Sequence, residues 1–327
     1  MNMINIVKNN LHRALALSNY VILTMSITLA LILGASFFTS QAQSLGSIAV
    51  IGDIDELDRY KNQFEIHRLE EPPAMSEMVR NKYDAVLTKQ QNGQYEVFTL
   101  RSEEFKVNLE QSFSGTLAST DIKLEARGTA TNILGFLLMY ILIQGIMFMK
   151  FFSEDKENGT FKRIVTGPVG IKGYLVSQFI TTFLLIYIPT FTVLIFSKEI
   201  LKIDLGLSYL CYSWLLTLIV FIAAAAAICI TAFVEKEDNA MTLAGAIIVL
   251  TSLLSGAFYT IDHNNWIIKT FNSILPQTFV LRIVQGVEQE LLASSYFPEI
   301  AYLLLTTMLL FTVGLWVCRK RFNRGAY

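Results

Sequence analysis

Residues 153–168 read SEDKENGTFKRIVTGP. On a soluble protein this would be an ordinary solvated loop. Here it stands between NILGFLLMYILIQGIMFMKF at 132–151 and YLVSQFITTFLLIYIPTFTVLIFS at 174–197. About 20 consecutive apolar residues cross a bilayer core as a helix, and both flanks reach that length. The charged segment is therefore held close to the membrane from both sides, as a polar platform on which a soluble partner can push.

Working outward, six runs have spanning length: 20–38, 132–151, 174–197, 205–234, 240–261 and 300–318. The run 205–234 carries no charged residue, which is foreign to a soluble core. The whole chain is 53% hydrophobic and 16% charged, against roughly 45–50% and about 25% in soluble domains. The first run is read as a retained anchor at 19–38, because Ala42, Gln43 and Ser44 make a poor signal-peptidase site. Lys and Arg in the short loops set the orientation. With the N-terminus inside, twelve fall inside and four outside, when the long block 39–130 is left out. Both termini are thus expected in the cytoplasm, with 39–130 extracellular.

Composition excludes several classes. A net charge of −1 gives no global basic field for nucleic acid. Cys211, Cys229 and Cys318 all lie in apolar runs, so no disulfide framework can be drawn. His12, His67 and His263 are scattered and form no metal-ligand set. There is no Gly-x-x-x-x-Gly-Lys-Ser/Thr stretch, hence no phosphate-cradling loop. If the protein uses ATP, another polypeptide binds it.

The block 47–127 alone has soluble-domain texture. SIAVI at 47–51, 83–87 and 95–100 read as strands, with Asn92 and Gly93 as a hairpin turn between the last two. Helices are expected at 53–64 and 76–81. The resulting β-α-α-β-β pattern predicts a small α/β domain between the first and second spans. A further helix at 103–127 would present Phe105, Leu109, Phe113 and Leu117 every fourth residue. Fifteen acidic and ten basic residues in this block read as solvation rather than a binding site.

Two inner-face elements are expected. Within 1–18, Ile4, Val7, Leu11, Ala14 and Leu15 fall at helical spacing among Lys8, His12 and Arg13. That predicts an amphipathic helix lying in the membrane interface, rather than a plain lead-in to the first span. In 153–172, Glu154, Asp155, Lys156 and Glu157 form a charged helical end and Asn158–Gly159 permits a turn. Thr160 is placed to N-cap a short helix. Phe161, Ile164 and Val165 give that helix an apolar stripe flanked by Lys162 and Arg163, and Gly167 and Pro168 stop it. An apolar stripe facing water needs a partner to cover it.

Intramembrane polar residues mark a candidate path: Thr28 in the first run, Asn132 and Gln144 in the second, and Thr182 and Thr190 in the third. At any single one of these positions helix–helix glue is the favoured reading. The last five runs hold no internal carboxylate or arginine away from their ends. An ion-coupled carrier needs one, so an apolar or amphipathic substrate is favoured: lipid, lipopeptide, hydrophobic drug or antimicrobial peptide. Tyr20, Trp266 and Trp316 suit interfacial anchoring among membrane lipid. The segment 264–290, broken by Pro276, reads as short helices on the extracellular side.

DKENGTFKRIVTGP at 155–168 resembles the Glu-Arg/Lys-Glu-x-Gly-Thr motif after the second span of type-2 ATP-binding-cassette exporter permeases, with Asp155 for the usual Glu and Gly167 added before the proline. Ser255, Gly256, Ala257 and Phe258, then Pro276 and 278–286, are similar to that family's later turn and short helices. The resemblance implies an α-helical polytopic membrane protein of six transmembrane helices with an external α/β domain. A five-helix membrane domain at 131–327 would carry a coupling helix at 153–172. It implies a plasma-membrane permease subunit, not itself an enzyme, exporting its substrate as a homodimer or with a related permease. ATP and Mg would be bound by a separate ATPase subunit. That subunit would meet Glu154, Lys156, Glu157, Gly159, Thr160, Lys162 and Arg163. The competing expectation is a membrane sensor or immunity protein binding a peptide or lipid through its external domain. A secondary transporter is disfavoured by the missing intramembrane charges and the lack of an inverted repeat.

Overall fold

The computed structural model describes residues 2–16, 18–42, 47–51, 65–69, 73, 75, 78, 83, 85–89, 95–99, 106–107, 109–110, 128–234, 236–258 and 270–325. The chain forms two compact units, one of Met1–Ser36 with Gly128–Tyr327 and one of Phe37–Arg127. Among the described residues six helices are long and apolar enough to cross a membrane.

The helical unit runs from α1 (Met3–Ala16) and α2 (Ser18–Ala42) to α3 (Thr129–Phe148), α4 (Lys150–Glu157), α5 (Thr160–Val165) and α6 (Gly170–Glu199). It continues with α7 (Tyr209–Phe233), α8 (Glu237–Leu254), α9 (Pro276–Glu288), a 3-10 turn at Ala293–Ser295 and α10 (Phe297–Asn323). The charge-free helix α7 is the hub, packed on by α3, α6 and α10. Lipid tails are as apolar as a leucine, so such helices are held by close packing. Small residues permit it: Ala223, Ala224, Ala225 and Ala227 are buried on α7. A Cβ at Gly145 of α3 would lie 2.8 Å from the Ala223 carbonyl oxygen, and one at Gly314 of α10 3.0 Å from Ile228 Cγ2. Several hydroxyls inside the spans bond to their own helix: Ser177, Thr181 and Ser197 each donate 2.8 Å to the carbonyl four residues back, which keeps those hydroxyls from facing hydrocarbon unbonded.

The helix ends differ from the sequence reading in physically clear ways. α7 begins at Tyr209 rather than 205, because Ser208 Oγ accepts from Cys211 N–H and caps the helix. α8 stops at Leu254, followed by Gly256 in the left-handed region at φ 77°. α9 starts on Pro276, whose missing N–H would be unbonded there anyway. α10 runs past 318 to Asn323, so the basic cluster Arg319, Lys320 and Arg321 belongs to the helix itself, suited to its negative carboxyl end.

In the other unit, β1 (Ser47–Ile51), β2 (Glu65–Leu69), β3 (Ala85–Lys89) and β4 (Tyr95–Thr99) form one sheet in the order β2-β1-β3-β4. β1 pairs in parallel with both neighbours and β4 antiparallel with β3, closing on Lys89 opposite Tyr95. Ile48, Ala49 and Val50 are buried on the central strand, as a strand covered on both faces requires. β2 was not expected: EIHRL reads as polar, and it sits at the sheet edge with His67 and Arg68 exposed. β3 starts two residues later than 83–87. Tyr83 lies just ahead of it, packed with Ala49, Met78 and Val86. The helices expected at 53–64 and over most of 76–81 and 103–127, and the Asn92–Gly93 turn, lie outside the described residues.

Candidate functional site

The charged segment folds as an elbow. The second candidate span runs from Thr129 to Glu157, with a turn at Met149 where α3 passes into α4. α4 ends because Gly159 takes φ 66° and its N–H bonds the Lys156 carbonyl at 3.2 Å. Among the described residues nothing lies within 4 Å of where a Gly159 Cβ would be; the glycine is needed for its backbone, not for space. α5 then starts at Thr160. Thr160 is not the N-cap expected of it: Gly159 holds that position, and the Thr160 hydroxyl accepts from Arg163 at 3.2 Å.

The apolar stripe expected to face water is covered by the chain itself. Phe161 is fully buried and Val165 nearly so. The Phe161 ring lies 5.6 Å from that of Phe152, 5.1 Å from Tyr174 and 6.4 Å from Phe322, all near edge-on. What α5 shows outward is polar and basic, with Lys162 and Arg163 exposed beside Glu157 and Asn158.

Behind the elbow is a closed ring of hydrogen bonds. Asp155 Oδ2 accepts from Tyr174 OH at 2.6 Å, and Asp155 Oδ1 from Arg13 at 3.0 Å. Tyr174 OH accepts from Gln178 at 2.7 Å, and Gln178 Oε1 from Asn10 at 3.1 Å. Arg13 returns to Asn10 Oδ1 at 3.4 Å. Arg13 also pairs with Glu154 and places its guanidinium 4.7 Å from the Phe151 ring centre. The ring joins α1, α4 and α6. α1 accordingly buries Ile6, Asn10 and Ala14; of the expected stripe Ala14 is buried, Val7 and Leu11 are half-buried, and Ile4 and Leu15 are exposed. On the other side of α4, Lys156 Nζ donates to the Thr231 and Val234 carbonyls at the end of α7.

Of the seven elbow residues singled out from sequence, Lys162 and Arg163 are exposed, as is Glu157, and Gly159 and Thr160 are half-buried at the turn. Glu154 is engaged by Arg13, and Lys156 is turned inward. The sequence reading missed Arg13, Asn10, Tyr174 and Gln178. Their signal was faint but present: polar pairs at i,i+3 and i,i+4 on one face of α1 and of α6. The five path residues do not converge. Thr28 is buried on α2 and donates to the Thr24 carbonyl at 2.8 Å. Asn132 is half-buried on α3. Gln144 Oε1 on α3, and the hydroxyls of Thr182 and Thr190 on α6, are buried and have no hydrogen-bond partner among the described residues. Among the described residues no group of His, Cys, Asp and Glu could hold a metal.

Six apolar helices, the second and third joined by a short charged-faced helix braced from within, define a multi-pass membrane protein. The sequence profile described as ABC-2 family transporter protein matches residues 69–316, and the chain belongs to that family. It is a membrane permease subunit of an ABC transporter, a transmembrane component of a kind that partners an ATPase subunit and is generally not catalytic itself. No curated protein matches the chain.

Proposed function

We propose that this permease exports an apolar or amphipathic substrate across the plasma membrane, and that the α4–α5 elbow is where its ATPase subunit docks. One observation carries the reading. α5 buries Phe161 and Val165 against its own chain and leaves Lys162 and Arg163 outward, while the Arg13–Asp155–Tyr174 network stiffens what lies behind it. A push on a loose loop is absorbed; a push on a braced elbow reaches the spans. The excess of Lys and Arg on the elbow's side of the membrane supports a cytoplasmic elbow and cytoplasmic termini, with 39–130 outside. Glu157, Gly159, Thr160, Lys162 and Arg163 form the contact, and Glu154 and Lys156 hold it from within. ATP and Mg belong to the partner. Two permeases, identical or related, enclose the path.

The test is co-purification. The wild-type chain should retain an ATP-binding-cassette ATPase in detergent. Lys162→Glu with Arg163→Glu should lose it while the membrane content of the chain stays constant. An ATPase retained equally by the double variant removes the elbow as the docking site. A cysteine at Lys162 labelled by an impermeant reagent on intact cells removes the orientation.

A further inference from the structure

At the end of the second span opposite the elbow, one carboxylate grips the helix start. Glu288 Oε1 accepts from Ala130 N–H at 2.9 Å, and Oε2 accepts from Thr131 N–H at 3.2 Å and from the Thr131 hydroxyl at 2.7 Å. These are N–H groups that a helix leaves unbonded at its first turn, and a carboxylate there is favoured by the helix dipole. α3 has no cap of its own, since Gly128 stands at its N-cap position. A Cβ at Gly128 would lie 2.0 Å from Glu288 Cδ, and one at Gly206 3.3 Å from Glu288 Oε1. The cap is thus lent by another helix through a gap only glycine leaves open.

Glu288 is the last residue of α9, and the turn after it is strained. Leu291 N–H bonds the Gly286 carbonyl at 2.9 Å and Glu290 N–H that of Val287 at 3.2 Å. This double closure puts Glu290 at φ 54°, a conformation that favours glycine. The chain accepts that cost at the turn leaving Glu288.

We infer that Glu288 is a positioning residue that pins α9 to the second span, so that displacement of the elbow reaches the far side of the membrane. The span Thr129–Glu157 has 29 residues, of which α3 supplies 20 before the turn at Met149, roughly 30 Å at 1.5 Å per residue. α5 follows one end of it and Glu288 grips the other. α9 carries no other charged side chain than Arg282, and its buried Val280, Leu281, Ile283 and Val284 hold it between α3 and α10 by apolar packing; Glu288 adds the charge-assisted hold that fixes α9 to the start of the span. The inference rests on the permease reading.

The experiment uses the full chain with its ATPase in proteoliposomes, with transport read as the ATP-dependent movement of a fluorescent phospholipid between leaflets. Glu288→Gln should keep ATP hydrolysis, because docking is remote, while transport falls about tenfold or more, as loss of charge-assisted bonds implies. Thr131→Val, which removes only the hydroxyl bond, should give a smaller loss of the same kind. In Gly128→Cys with Glu288→Cys, a Cβ at 128 stands where the Glu288 carboxyl carbon now lies, two bonds beyond the Glu288 Cβ, so the pair is a candidate for a disulfide. Reduced, this pair should hydrolyse ATP without transport. Oxidised, the covalent pin should restore transport severalfold, with single-cysteine variants controlling for Cys211, Cys229 and Cys318. Transport by Glu288→Gln at the wild-type rate, or an oxidised pair that stays inactive, overturns the pin. So does hydrogen exchange at Ala130 and Thr131 unchanged in Glu288→Gln, a readout that needs no transport and separates failure of the pin from failure of the permease reading.

Discussion

Lys156 closes the carboxyl end of the fourth span: its Nζ lies 2.6 Å from the Thr231 carbonyl oxygen and 2.7 Å from that of Val234. A cation at a helix carboxyl end meets unbonded carbonyls and the negative pole of the dipole together. The same Nζ sits 4.8 Å from the Phe152 ring centre, so the charge is held by oxygens and an aromatic face rather than by water.

Lys156→Met should therefore destabilise the protein by about 2 kcal/mol, since buried carbonyls lose a charged donor. Lys162→Met, on an exposed position, should leave stability unchanged. Thermal unfolding of the two variants in detergent checks the difference. Equal melting temperatures would show that Lys156 is not engaged as described.

Tyr174→Phe removes the hydroxyl that joins Asp155 to Gln178. A loss of about 1–3 kcal/mol is expected from the unpaired buried groups. Arg13 and Tyr174 both hold Asp155, so Arg13→Gln and Tyr174→Phe should not add. A double-mutant cycle on unfolding should give a coupling of at least about 0.5 kcal/mol; strict additivity would break the ring into independent contacts.

Gly159 and Gly145 should fail for different reasons. Gly159→Ala meets open space but a left-handed backbone, costing about 1 kcal/mol, and Gly159→Asn should cost less. Gly145→Ala meets the Ala223 backbone at 2.8 Å, so two spans must separate, at about 1–3 kcal/mol, and Gly145→Asn should be worse still. Unfolding midpoints for the four variants separate the two causes by the sign of the Ala-to-Asn change.

Glu290→Gly should raise stability by about 1 kcal/mol, because glycine takes φ 54° without a Cβ clash. A lower unfolding midpoint for this variant would mean that the Glu290 side chain contributes more than its backbone costs.

Much of the membrane architecture was legible along the chain. The six runs announced themselves because a bilayer demands length and apolarity from contiguous residues, and the Asn158–Gly159 break was readable because a left-handed turn selects glycine. The ends of α7 and α10 were missed by a few residues, since a cap such as Ser208 acts one residue at a time. β2 was missed outright: a parallel edge strand takes its place from its neighbour, and Glu65, His67 and Arg68 carry no strand signal of their own. Of the elbow residues, sequence found the exposed basic face but assigned Lys156 to it, because a charged residue among others at a helix end looks solvated.

Sequence by itself determined the family, the number of spans and the place of the elbow, since each depends on residues adjacent in the chain. Only the tertiary structure decided which charges face outward and which face in. Arg13 reaches Asp155 across 142 positions and Glu288 reaches Ala130 across 158. A buried charge takes whatever donor or acceptor folding brings within 3 Å, and no local pattern records a partner that far away.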